Sequence, residues 1–149
     1  MFHERVDAQH MPSRKQPSPE EVAEIVRETL AGEQGIKVVI VYGSAAAGHM
    51  RPGSDVDVAV LFDKQLDMDA RLALWSKLTG ALHREVDLVD LYGLGGEILH
   101  QILTKGHIVI KNDMKAYYWL AKRMVYDRED FMGLVRRTQR ERIGRMIHG

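Results

Sequence analysis

Cysteine is absent from the 149-residue chain, which excludes disulfide bonds and thiolate metal sites. Long apolar runs are absent as well: no stretch approaches the roughly 20 residues of a membrane helix, and the polar N-terminus lacks a signal-peptide core. Neither sign of charge is in excess, because Lys plus Arg and Asp plus Glu both number 21. We therefore expect a soluble, cytoplasmic protein that has no membrane partner and does not bind nucleic acid directly.

The composition that remains is that of one globular domain. Apolar residues make up 45% of the chain and charged residues 28%. Residues 1–17 combine charges with Pro12 and Pro17 and show no periodicity, so we expect a flexible N-terminal tail there. Residues 18–149 are expected to form the single domain, since this length fits one hydrophobic core.

Four short apolar segments predict β-strands. The segments 36–42 and 107–110 are runs rich in Val and Ile, and the first is typical of a strand buried on both faces. Residues 55–62 and 85–91 place carboxylates among apolar residues, and in the first of them Val56, Val58 and Val60 alternate with Asp55, Asp57 and Ala59. The expected class is α+β, with a small mixed sheet covered by helices.

Helices are predicted before, between and after these strands. Ser18 is a suitable N-cap for the first helix, and Asp67 or Asp69 opens a later one whose apolar stripe includes Leu72 and Trp75.

A shorter helix is expected around residues 97–104. From Asp113 onward the pattern is helical to the end, with a possible break near Asp127 or Gly133. The C-terminal third is therefore expected to be helical.

The most informative stretch begins where the first strand stops at Tyr42. A turn through Gly43 exposes backbone N–H groups at the point where a short helix can begin, and such a place favours an anion. Gly43 permits close approach of the backbone, and Ser44 adds a hydroxyl donor. Gly43 and Ser44 are thus candidate phosphate-binding residues.

Two carboxylates follow on the next strand. Asp55 and Asp57 are two positions apart, so they point to the same face with Cα atoms about 6.5–7 Å apart. Mg²⁺ prefers oxygen ligands and is typically held by one or two carboxylates plus substrate phosphates. A phosphate-binding turn beside such a pair favours metal-assisted transfer from a nucleoside triphosphate.

Two-metal chemistry calls for a third carboxylate. Asp87, at the centre of the third strand, is the candidate, either as metal ligand or as acceptor of the nucleophile's proton. Asp90 should point to the other face if that strand is regular.

This constellation resembles a known superfamily. Gly43-Ser44, ten intervening residues, Asp55-Val56-Asp57 and a later strand with Asp87 are similar to the nucleotidyltransferase superfamily of DNA polymerase β. More closely, the chain resembles the minimal nucleotidyltransferase (MNT) antitoxins of HEPN/MNT toxin–antitoxin pairs. The superfamily signature lies within residues 36–91. The closer likeness also draws on the chain length and on AYYWLAKRMVYDREDFMGLVRR, with Tyr126, Asp130 and Phe131.

The resemblance implies a polymerase palm-type sheet, with Asp55, Asp57 and Asp87 as catalytic metal ligands. It also implies ATP as substrate, Mg²⁺ (or Mn²⁺) as cofactor, and transfer of AMP to a tyrosine hydroxyl of a cognate HEPN ribonuclease toxin. The toxin would be silenced, in a hetero-oligomer with this chain. One position departs from the family: Ala46 stands where several members carry arginine, so either Arg51 supplies the phosphate contact or backbone and metal hold most of the triphosphate.

Two alternatives remain at this point. A small-molecule nucleotidyltransferase of the antibiotic-modifying kind would normally need a larger acceptor domain, for which we expect little chain to remain. A palm-like module that neutralises its partner by binding alone would not need the intact carboxylates. Residues 136–145 hold five arginines, which favour contact with a partner protein over RNA.

Overall fold

The structure, a computed structural model, describes residues 15–148 apart from the side chains of residues 129–131, 134, 147 and 148. Of the expected N-terminal tail, residues 1–14 lie outside the described residues, as do the side chains of Asp130 and Phe131. The secondary-structure elements are α1 Pro19–Leu30, β1 Ile36–Tyr42, α2 Ser44–Ala47, β2 Val56–Phe62, α3 Met68–Leu82, β3 Val86–Asp90, α4 Gly96–Lys105, β4 His107–Lys111 and α5 Met114–His148.

The four strands form one mixed sheet in the order β3-β2-β1-β4. β1 pairs antiparallel with β2 and with β4, whereas β2 and β3 run parallel and are connected through α3. The central strands β1 and β2 are buried along nearly their whole length, as expected for β-branched segments covered on both faces. The predicted α+β class with a small mixed sheet is confirmed.

Helices cover the two faces of the sheet and create two apolar clusters. On one face α1 and α3 pack over the sheet, with Val26, Leu30 and Leu78 fully buried. On the other face α4 and the first turns of α5 bury Leu99, Ile102 and Leu120 against residues of β1 and β2.

Two helix starts agree with the sequence prediction. The Ser18 hydroxyl accepts a hydrogen bond from the Glu21 N–H at 3.1 Å, and Pro19 occupies the first turn. The Asp67 carboxylate accepts one from the Ala70 N–H at 2.8 Å. Each cap satisfies a donor that the helix itself cannot.

Two helical expectations were wrong. α5 runs without a break from Met114 to His148, and Gly133 keeps a helical backbone within it. In α3, Leu78 packs in the core as expected, but Leu72 is 54% and Trp75 38% exposed. The apolar residues of α3 therefore lie on two faces, of which only one meets the core.

Among the described residues, no helix is both long enough and apolar enough to cross a membrane.

Candidate active site

Three candidate residues of the site lie in a single row across the sheet. Tyr42, the last residue of β1, is the register partner of Asp57 in β2, and Asp57 is the partner of Asp87 in β3. Because paired residues on neighbouring strands point to the same face, the three side chains share one face. Tyr42 packs against the cluster under α4 and α5, which identifies that face. We call these residues the Tyr42–Asp57–Asp87 row.

Gly43 lies directly against the middle of this row. Its backbone has φ 69° and ψ −148°, a conformation that side chains disfavour, and a β-carbon at this position would clash with Asp57 Oδ2. Ser44 then begins the short helix α2, whose N-cap is Gly43. The chain thus brings the predicted phosphate-binding turn and the predicted metal ligand into contact.

The carboxylates form a cluster of like charge. Burial, and then the nearby charges of Asp87 and Asp55, raise the pKa of the Asp57 carboxyl above its ordinary value. The same environment acts on Tyr42: burial, with the charges of Asp57 and Asp87, raises its pKa to about 12. Asp55 and Asp87 are exposed and Asp57 is partly buried, so the cluster opens to solvent.

The described cationic side chains lie away from this cluster. None of the described ion pairs within residues 15–148 neutralises Asp55, Asp57 or Asp87. In the same part of the chain, no three His, Cys, Asp or Glu side chains are arranged to hold one ion by themselves. Carboxylate oxygens are nevertheless the ligand type that hard cations prefer.

Asp90 lies apart from the row, as predicted. It is buried on the opposite face, where its carboxylate accepts hydrogen bonds from the Leu66 N–H at 2.9 Å and the Tyr92 N–H at 3.0 Å. These bonds fix the loops that follow β2 and β3, so Asp90 supports the fold.

Arg51 is held by its backbone in the loop between α2 and β2. Its N–H donates to Ser54 Oγ at 2.9 Å, and its carbonyl accepts from Arg84 Nη1 at 3.1 Å. The side chain is exposed. None of the hydrogen bonds or ion pairs described for residues 15–148 joins its guanidinium to the carboxylates.

Sequence reasoning missed the packing around the loop from Leu91 to Gly96, whose GLGG segment is typical of a flexible connector. Arg123 of α5 donates to the carbonyls of Leu91 at 3.2 Å and Leu94 at 3.0 Å. Asp127 accepts from the Gly96 N–H at 3.3 Å, which caps α4. Contacts between residues more than 25 positions apart leave no local signal in the sequence.

Comparison with solved structures finds similar chains in toxin–antitoxin complexes. A chain from the crystal structure of a toxin–antitoxin pair with AMP-PNP is 26% identical, with a TM-score of 0.62 over 85% of this chain and 98% of that one. The structure of a tri-AMPylated Shewanella oneidensis HEPN toxin in complex with MNT antitoxin gives 24% identity and a TM-score of 0.54. It covers 88% of this chain and 96% of that one. This second likeness concerns the fold alone.

A curated relative, protein adenylyltransferase MntA of Shewanella oneidensis, is 38% identical over 71 residues. The matched region is 48% of this chain and 51% of the relative, so it spans about half of either protein. The family model described as polymerase beta, nucleotidyltransferase, matches residues 24–115, which include every predicted site residue. This chain therefore belongs to the polymerase β nucleotidyltransferase family.

Proposed function

We propose that this chain transfers AMP from ATP to a hydroxyl of a HEPN-type toxin, with tyrosine as the acceptor, and so acts as its antitoxin. The observation that carries the proposal is the row of Asp57 and Asp87 with Gly43 packed against it. Family membership supports nucleotidyl transfer, and the adenylyltransferase name of the 38% identical relative supports AMP as the transferred group. The likeness to a toxin–antitoxin chain with AMP-PNP supports ATP as the donor.

The carboxylate cluster is the proposed site for Mg²⁺, or Mn²⁺ in its place. Asp55 and Asp57 would hold it, with Asp87 as the third carboxylate, and phosphate oxygens of the nucleotide would complete its coordination. Bound there, the metal supplies charge neutralisation and a Lewis acid at the reacting phosphate. Burial and then like charges raise the pKa of Asp57, and a divalent cation would relieve the repulsion between these charges, which supports this assignment.

The turn at Gly43 and Ser44 is the proposed phosphate-binding element. Gly43 brings the backbone against Asp57, and Ser44 offers both its N–H and its hydroxyl at the start of α2. Arg51 remains a proposed phosphate contact. Since its backbone is fixed to Ser54 and Arg84, only its exposed side chain would have to turn toward the nucleotide.

The transfer itself needs a nucleophile and a place for its proton. The acceptor oxygen attacks the α-phosphorus of ATP and forms the new O–P bond, while the bond from that phosphorus to the bridging oxygen breaks and pyrophosphate leaves. Asp87 is the proposed acceptor of the hydroxyl proton, which then passes to water. Its exposure on the edge strand β3 makes it accessible to a large acceptor.

The C-terminal helix is the proposed docking element for the toxin. Beyond residue 135 the described residues of α5 are almost all exposed, and five arginines lie between residues 136 and 145. Nearer the body of the protein, Trp119 is 68% and Tyr126 52% exposed, with Lys122 against both rings. Exposed aromatic residues beside cations are typical of protein interfaces.

The experiment that tests the proposal measures whether the toxin stays inactive after this chain has been removed. The purified HEPN toxin is incubated with this chain, ATP and Mg²⁺, the chain is removed, and ribonuclease activity is measured. We expect the toxin to stay inactive, and we expect EDTA to prevent this and added Mg²⁺ or Mn²⁺ to restore it.

Matched variants separate the site from general charge effects. Asp57→Asn should fail to silence the toxin durably, whereas Asp63→Asn, an exposed carboxylate just past the other end of β2, should behave as the wild type. Recovery of full toxin activity after removal of the wild-type chain would contradict the proposal and favour inhibition by binding alone.

A further inference from the structure

A groove opens beside Asp87, which is the β3 end of the Tyr42–Asp57–Asp87 row. It has a volume of about 320 Å³ and lies between α3 and the edge strand β3. Asp87 belongs both to its lining and to the row of site residues. The groove therefore borders the strand position of Asp87 from the α3 side of the sheet, opposite the face that carries the carboxylates.

The α3 wall of this groove is apolar and open to solvent. Met68, Leu72 and Trp75 recur at the i, i+4, i+7 spacing of one helix face, and they are 70%, 54% and 38% exposed. Arg71 also lines the groove, and it takes part in none of the ion pairs described for residues 15–148. Such a surface fits an apolar side chain with an acidic neighbour.

The β3 wall offers hydrogen-bonding groups. Trp75 Nε1–H donates to the Val86 carbonyl at 3.0 Å, which shows that Val86 directs its backbone groups away from β2. Because the direction alternates along a strand, Leu88 directs its N–H and carbonyl to the same outer side. Val86 is 6% and Leu88 8% exposed, and the Val86 carbonyl already accepts from Trp75, so the outward N–H and carbonyl of Leu88 are the groups that a strand added to this edge would pair with.

We propose that the α3–β3 groove binds an extended segment of the acceptor protein, which pairs with the edge of β3. Side chains of such a segment alternate between the two faces of the sheet. A residue paired with Asp87 would direct its hydroxyl to the carboxylate face, and its immediate neighbours would face Leu72 and Trp75. The acceptor tyrosine is therefore flanked by an apolar residue. This inference rests on the proposed function, since it names the acceptor's binding site.

The position of the groove favours the acceptor over the nucleobase. The order across the sheet is the Gly43 turn at the end of β1, then Asp57, then Asp87, then the groove. In-line transfer requires the attacking and leaving oxygens on opposite sides of the phosphorus. With the triphosphate at the Gly43 turn, the attacking hydroxyl enters from the β3 side.

The test uses a charge placed in the groove and the same charge placed outside it. Leu72→Glu should lower kcat/KM for AMP transfer to the purified HEPN toxin by about tenfold or more, mainly through KM for the toxin. Affinity for AMP-PNP should stay unchanged. Ala73→Glu, on an exposed face of the same helix outside the groove, is the matched control and should behave as the wild type.

Hydrogen–deuterium exchange gives a readout that does not depend on transfer. Binding of the toxin should protect the Leu88 amide in the wild type and in Ala73→Glu, but not in Leu72→Glu. Protection without any AMP transfer would support the groove and contradict the proposed function. Unchanged kinetics in Leu72→Glu, an unprotected Leu88, or a loss of AMP-PNP affinity with an unchanged KM for the toxin would each overturn the inference.

Discussion

Gly43 and Asp57 lie so close together that the carboxylate occupies the space where a side chain at position 43 would begin. The contact joins two parts of the chain that are separated by the whole of α2 and the following loop. It fixes the proposed phosphate-binding turn relative to the carboxylates without the help of a bound nucleotide. Pre-organisation of this kind reduces the cost of assembling a transfer site.

The first prediction concerns that contact. Gly43→Ala should abolish most transfer activity, because its β-carbon displaces the Asp57 carboxylate. Gly53→Ala is the matched control, since Gly53 also has a positive φ of 79° but nothing lies within 4 Å of the added carbon. Both variants should lose about 1 kcal/mol of unfolding free energy from backbone strain. Equal activities of the two variants, measured with the toxin as acceptor, would contradict the assigned role of Gly43.

The second prediction concerns stability and pH. Burial and neighbouring carboxylates raise the pKa of Asp57 above its ordinary 3.8, so the folded protein binds this proton more tightly than the unfolded chain does. The ionised Asp57 carboxylate therefore lowers the free energy of unfolding at pH values above its folded pKa. Below pH 3.8 the carboxyl is protonated in both states and this effect disappears. Asp57→Asn should raise the melting temperature of the metal-free protein at pH 7, and this gain should shrink on acidification.

Addition of Mg²⁺ with AMP-PNP provides the control for this stability effect. These ligands should stabilise the wild type, because they bind the folded state, and should stabilise Asp57→Asn less. A variant that is less stable than the metal-free wild type at pH 7 would count against the repulsive cluster.

The third prediction separates two aspartates of the same strand. Asp90→Ala leaves the N–H groups of Leu66 and Tyr92 without their buried acceptor, and it should cost about 2–4 kcal/mol of unfolding free energy. Asp87→Ala, at an exposed position, should leave stability nearly unchanged and eliminate transfer. Denaturant unfolding and transfer assays on both variants check this. A stable Asp90→Ala protein would refute the structural role of Asp90.

Local features of the sequence predicted much of the fold. The caps at Ser18 and Asp67 and the four strands are confirmed, because each depends on neighbouring residues alone. The opposite orientation of Asp87 and Asp90 followed from strand alternation and is also confirmed. The comparisons confirm the family that the glycine–serine turn and the paired aspartates indicated.

Features that depend on how elements pack were not predictable in this way. Tyr42 joins the site through the register of β1 with β2, which the sequence does not specify. Trp75 has the spacing of a core residue, but β3 is an edge strand, so the indole borders an open groove. The sequence also left open a break near Asp127 or Gly133, but α5 continues past both positions, and the Asp127 carboxylate accepts a hydrogen bond from the Gly96 N–H of α4.

The central claim is that this chain silences its partner by covalent chemistry, and the intact mass of the toxin tests it most directly. The toxin is incubated with ATP, Mg²⁺ and either the wild-type chain or Asp57→Asn, and its mass is measured. The account predicts an increment of one or more AMP units with the wild type and an unmodified mass with Asp57→Asn. A toxin that is inhibited by the wild-type chain while its mass stays unmodified would contradict it.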